Sequence, residues 1–376
     1  MLVPFTESAI DSDIGASQRR AADLYLKLHG GKLAGRDVQL VYNDESALDP
    51  AINQVRIKQF LEQDHVELLM GGAAAPAAYL LRDAAEAARL VYLDTNASAN
   101  VLTRTVAGCA PSCKSKYVFR VAPSSWQMSA PLGEWLAKSG QRDVYVVAGD
   151  DAFGTESAAA LAEGLAKNGG RVTGTTSVGA KSGADWAKVV ADLKAQPARS
   201  VFAALITDDA EGFVTAWAAG GMAAAGFKLA GPGPLADSTV LADTKQAGAG
   251  ITTAFPWSAE LDNAENRTFI AEFEKAYKDD ATGQPLPPDG YASEMWNAMR
   301  VLDSALVVTK GDARDADRLI AVLEAASVAG PGGTFRFDPA SHNPIQDEYV
   351  REVRGSGGTL VNAVVASIAS VKDPGR

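Results

Sequence analysis

Cysteine is almost missing from this sequence: Cys109 and Cys113 are the only two in 376 residues. That excludes a disulfide-dense scaffold, whose small core is replaced by several bridges. Histidine is nearly as scarce, and His29, His65 and His342 are scattered. A zinc centre needs four ligands close in space, so the two cysteines would have to recruit distant partners, and no metal site is expected. No stretch approaches the roughly 18 consecutive apolar residues of a membrane span, so no membrane insertion is expected. Positive charge is also short, with 35 Lys and Arg against 46 Asp and Glu and a net charge of −11. No nucleic-acid partner is therefore expected, because phosphate backbones are held by clustered cations. An acidic surface of this kind mainly maintains solubility.

Catalytic motifs are missing as well. There is no Gly-x-Ser-x-Gly elbow and no His-Glu-x-x-His helix. Residues 174–182, GTTSVGAKS, imitate a phosphate-binding loop, but Ala180 stands between Gly179 and Lys181. The Gly-Lys-[Ser/Thr] junction that cradles phosphate is broken. Gly231-Pro-Gly233-Pro-Leu-Ala236 has dinucleotide-fingerprint spacing, yet Pro232 and Pro234 remove amides that a pyrophosphate would use. Neither a cofactor nor catalytic residues are expected, and the chain reads as a binding protein rather than an enzyme.

What the sequence does have is rhythm. Apolar runs of strand length, such as residues 66–70, 90–93, 144–148 and 201–205, alternate with amphipathic helical stretches at 50–63, 76–88, 155–168 and 211–219. Further strands are expected at 38–42, 172–177, 227–230 and 251–255, and further helices at 130–139, 186–195, 266–277 and 294–308. This βαβ alternation specifies an α/β protein with doubly wound parallel sheets. Punctuation at Pro123-Ser124-Ser125 divides two such lobes, and the tail ends in strands at 334–337, 349–353 and 360–366.

In open parallel sheets, ligands bind outside the carboxyl ends of the strands. Polar loops at those places are Thr6-Glu7-Ser8, residues 72–76, 94–98 and 150–153, Thr207-Asp208-Asp209, and Gly233-Pro234. The segment Cys109-Ala-Pro-Ser-Cys113 fits a short disulfide loop formed in an oxidising compartment, or else two free thiols in a surface loop. The disulfide is the expected state. The opening Met1-Leu2-Val3-Pro4-Phe5 reads as the tail of a strand without its beginning, as a removed export signal would leave it.

At the polar loops the chain resembles the substrate-binding proteins of branched-chain amino acid-type ABC transporters. The resemblance is carried by Pro4-Phe5-Thr6 with Gly15, by Asn43-Asp44-Glu45 with Asp49-Pro50, and by Phe119-Arg120-Val121-Ala122-Pro123-Ser124. Asp151-Ala152-Phe153-Gly154, Gly183-Ala184-Asp185-Trp186 and residues 213–221 continue it, so it spans nearly the whole chain. It implies a type I periplasmic-binding fold with a three-segment hinge, crossings falling near 121–125, 254–258 and 337–342. The lobes would be 1–121 with 257–336, and 122–256 with 337–376. The implied protein is an exported, periplasmic, monomeric solute-binding component that closes over a small-molecule ligand and is read by an ABC permease. A ligand-sensing receptor of the same fold and a doubly wound enzyme are the alternatives.

Position by position, the resemblance puts first-lobe ligand contacts at Ala74, Ala75, Asn96, Ala97 and Ser98, and a second-lobe aromatic at Phe153. Thr6 and Trp126 would border the cleft, with Glu7, Thr207, Asp208 and Gly233 in the surrounding loops. The departures set the ligand class. Ala73-Ala74-Ala75 stands where amino-acid binders place a serine, and Gly233-Pro234 where they place an acid for the ligand ammonium. An ammonium buried without a carboxylate is costly unless Glu7 or Asp208 substitutes. Trp126, Phe153 and Trp257 suit an apolar or aromatic body. A carboxylate, amide or aromatic compound is therefore expected in preference to leucine, isoleucine or valine.

Overall fold

The computed structural model describes residues 5–7, 12–45, 50–104, 114–179, 183–279, 282–356 and 359–375. Cys109 and Cys113 lie outside the described residues. The chain forms two compact units, Met1–Ser124 with Asp262–Gln346 and Lys372–Arg376, and Ser125–Leu261 with Asp347–Val371. The chain therefore changes unit after residues 124, 261, 346 and 371, the last change returning the C-terminal residues to the first unit.

In the first unit, Leu69–Gly71, Tyr92–Asp94 and Val118–Arg120 form a parallel sheet in that order. All nine residues of these strands are buried, the mark of parallel strands covered on both faces. The helix Ala75–Ala88 lies between the first two strands and buries Ala77, Ala78, Leu81 and Ala85. Pro76 suits its first turn, where an amide would have no helical partner, and Arg89 ends it in the left-handed conformation. A second parallel pair joins Phe5–Glu7 to Asn43–Glu45. The expected strand at 38–42 is absent: the alternation of Val38, Leu40 and Tyr42 imitates one, but Phe5, Thr6 and Glu7 find their register with Asn43, Asp44 and Glu45. Helices Ser12–Leu28 and Gly290–Thr309 pack together, with Asp303 accepting from the Tyr25 hydroxyl at 3.1 Å and the Ala34 amide at 2.6 Å.

The second unit is built on five parallel strands in the order Thr252–Phe255, Lys228–Pro232, Ser200–Ala204, Asp143–Gly149 and Arg171–Val178. Residues of Pro344–Ser356 add an antiparallel strand beside Thr252–Phe255, and Thr359–Lys372 pairs with it in turn. Val144, Val146, Phe202, Ala204, Leu132 and Leu161 form the core on one face; Val201, Phe213, Trp217 and Leu229 belong to the other. The helix expected from 130 starts at Ser125 and includes Pro131, and the helix expected from 211 starts at Thr207. Thr207-Asp208-Asp209 is thus a first helical turn rather than a loop, where Asp208 and Asp209 complement the helix dipole. Among the described residues, no helix is long and apolar enough to cross a membrane.

Candidate functional site

In the first unit, two loops follow neighbouring parallel strands and are tied to each other. The Asn96 side-chain amide donates to the Ala73 carbonyl at 2.7 Å, and the Ala97 amide donates to the Gly72 carbonyl at 3.0 Å. Ala74, Ala75, Asn96 and Ser98 are partly exposed there, while Ala97 is buried. Glu45, fully buried, takes the Ala73 and Ala74 amides on its two carboxylate oxygens, at 3.0 and 2.9 Å. The loop that lacks a serine therefore has two of its backbone donors held by a carboxylate of the chain itself. Thr6 and Glu7 pair along the backbone with Asp44 and Glu45.

Beneath the 96–98 loop lies a buried charge pair. Arg120 and Asp94 have no exposure and approach to 3.4 Å. Asp94 Oδ1 accepts the Asn96 and Ala97 amides at 3.4 and 3.0 Å. Burial pushes the Asp94 carboxyl up to about 7, against the pull of the Arg120 guanidinium. Gln18 closes the other side, exchanging two hydrogen bonds of 2.9 Å with Thr95.

In the second unit, the expected residues follow three adjacent strands of the parallel sheet. Asp151 caps the helix Ala152–Ala166 by accepting the Gly154 amide at 2.8 Å. A side chain at Gly154 would come within 2.2 Å of the Gly149 carbonyl oxygen, so glycine is what lets the helix start so close to the strand. Phe153 packs partly buried against the core of the unit. Trp126 is engaged elsewhere: its indole N–H donates to Glu163 at 2.9 Å, and the Lys167 ammonium lies 5.6 Å from its ring centroid. Thr207 opens its helix with a φ of +48°.

Gly233 is buried, and a Cβ there would meet the Phe255 ring at 2.2 Å. An acid at this position has no room. Beside it stands Arg351, itself buried, whose guanidinium carbon is 5.0 Å from the Phe255 ring centroid. Arg351 donates to the Trp257 carbonyl at 2.8 Å, the Thr253 hydroxyl at 3.2 Å and the Gly233 carbonyl at 3.4 Å. Glu348 on the same strand is fully buried, and neither carboxyl oxygen has a hydrogen-bond partner among the described residues. Burial pushes its carboxyl well above the usual range, although the Arg351 guanidinium pulls it down. Glu348 and Arg351 escaped the sequence reading, and Glu45, Asp94 and Arg120 entered it only within a loop or a motif with no buried role, because charged residues are placed in solvent by default.

Comparison with known proteins agrees with this architecture. The family model described as "Periplasmic binding protein" matches residues 1–359, and the chain belongs to that family. It is 25% identical over 363 residues to Leu/Ile/Val-binding protein homolog 6 of Brucella suis, covering 96% of this chain and 89% of that protein. Among solved structures, an ABC-transporter solute-binding protein of Rhodopseudomonas palustris BisB5 in complex with 3,4-dihydroxybenzoic acid superposes with a TM-score of 0.89. The two are 26% identical, and the match covers 100% of this chain and 98% of the other. A solute-binding protein of R. palustris in complex with benzoate gives 0.85 at 27% identity, covering 98% and 96%. The fold is the type I periplasmic-binding fold, as the sequence implied.

Proposed function

We propose that this chain is the extracytoplasmic solute-binding component of an ABC importer and that its ligand is a small aromatic carboxylate, taken up without catalysis. The observation that carries the ligand class is the surrounding of Gly233. Where an amino-acid binder needs an acid for the ligand ammonium, this loop is filled by the Phe255 ring and flanked by the buried Arg351 cation. A fixed positive charge disfavours an ammonium and favours an anion, the more so in a low-dielectric interior. Two solved relatives above 25% identity hold benzoate and 3,4-dihydroxybenzoic acid, which supports the same class.

In the mechanism we infer, ligand contacts from Asn96, Ala97 and Ser98 and from the Phe153 and Gly233 loops favour a closed arrangement of the two units. Only the difference in affinity between open and closed states can drive that shift. A membrane permease then reads the closed form, and the protein works in the periplasm as a monomer. A thermal-shift panel of benzoate, 3,4-dihydroxybenzoate, benzamide and leucine tests the reading, because a ligand bound only by the folded state raises its stability, by about 2.7 kcal/mol at a hundred times Kd. Benzoates should raise the midpoint. A rise with leucine alone would overturn the assignment.

A further inference from the structure

We infer that Arg120 is a positioning residue for the 96–98 loop, setting its shape from beneath rather than touching the ligand. This deepens the function proposed above and rests on that loop's being part of the ligand site. Arg120 ends the strand Val118–Arg120 and is fully buried. Its two terminal nitrogens donate to the carbonyls of Ala97 and Ala99, the residues on either side of Ser98. Its Nε donates to Asn343 Oδ1 at 3.1 Å, and the Thr103 hydroxyl donates to the same oxygen at 2.7 Å. Asp94, 3.4 Å from the guanidinium, holds the loop from the other polarity by accepting the amides of Asn96 and Ala97.

The chemistry explains why a cation is kept in so dry a place. An irregular loop has no ladder of its own, so its inward carbonyls must be satisfied by something else. A planar guanidinium offers donors in several fixed directions, enough for two carbonyls and an amide oxygen at once, whereas an ammonium is a point charge. Asp94, 3.4 Å away, offers a counter-charge in its ionised form, and the three oxygen acceptors offset the cost of burying the cation. The pair therefore fixes both the N–H and the C=O groups around Ser98, leaving the partly exposed Asn96 and Ser98 in one geometry.

The test uses the full chain with Arg120→Lys and the milder Asn343→Ser, each checked by thermal unfolding. Without ligand, amide hydrogen exchange should accelerate about tenfold or more across residues 94–103 while peptides covering 143–178 keep the unsubstituted rate. Benzoate should then bind about tenfold more weakly, measured well below each variant's unfolding midpoint so that the folded state is compared. Unchanged exchange in the loop overturns the inference, and so does a loosened loop with unchanged benzoate affinity. If Arg120→Lys fails to fold, Asn343→Ser gives the same two readouts. An unsubstituted protein that binds none of the aromatic carboxylates would sink the ligand assignment, and the ligand-free exchange would still decide whether Arg120 anchors the loop.

Discussion

At Gly233 the proposed ligand class turns on one residue, because a side chain there has no room. With the Phe255 ring 2.2 Å from where a Cβ would sit, Gly233→Ala should lower unfolding stability by about 1–3 kcal/mol, the usual cost of overpacking. Chemical denaturation measures this; a neutral substitution would show that the ring moves aside freely. Asp94 makes a prediction in pH. Its carboxyl rises from 3.8 to about 7 on folding, so between those values the folded state retains a proton that the unfolded chain releases. The stability it contributes is full below about 3.8 and is lost as pH rises through about 7. Asp94→Asn has no such proton, so its stability should fall less steeply over that window. Denaturation series with equal slopes for the two proteins would contradict the assignment.

Among the elements, the strand–helix junction at Gly149–Ala152 is fixed by a helix cap and a close backbone approach. Removing the cap with Asp151→Ala should cost about 1 kcal/mol of stability, measured by denaturant titration, and no loss would show that another group takes over the Gly154 amide. The sequence marked this segment through a local signature, the resemblance at Asp151-Ala152-Phe153-Gly154, although the helix expected from 155 starts at Ala152. The long apolar runs were legible as local patterns too, and strands expected at 144–148 and 201–205 appear as Asp143–Gly149 and Ser200–Ala204. Residues 38–42 misled because local alternation says nothing about which segment a strand pairs with. The buried charges were illegible for a related reason: Arg120 is stabilised by Asn343, 223 positions along the chain, and no local pattern reports such a partner. Phe153 falls between the cases. The resemblance marked it as a cleft residue, but its packing on the core means that Phe153→Ala should also reduce stability, by about 1–3 kcal/mol.

For the whole molecule, the proposed importer function carries two expectations besides the fold. Protein recovered from an oxidising compartment should carry Cys109 and Cys113 as a disulfide, so mass spectrometry after alkylation without reductant should find neither thiol modified. Two alkylated thiols would remove that support for export. Ligand-linked closure should also reduce the radius of gyration in small-angle scattering when benzoate is added, and unchanged scattering at saturation would remove the hinge mechanism. The central claim is that the site around Gly233 and Arg351 accepts an aromatic carboxylate and refuses an aliphatic amino acid. Calorimetric titration of one preparation near pH 7 with benzoate and then with leucine tests it most directly. Saturable heat with benzoate and none with leucine is the expected result; tight, saturable binding of leucine with no response to benzoate or 3,4-dihydroxybenzoate would contradict it.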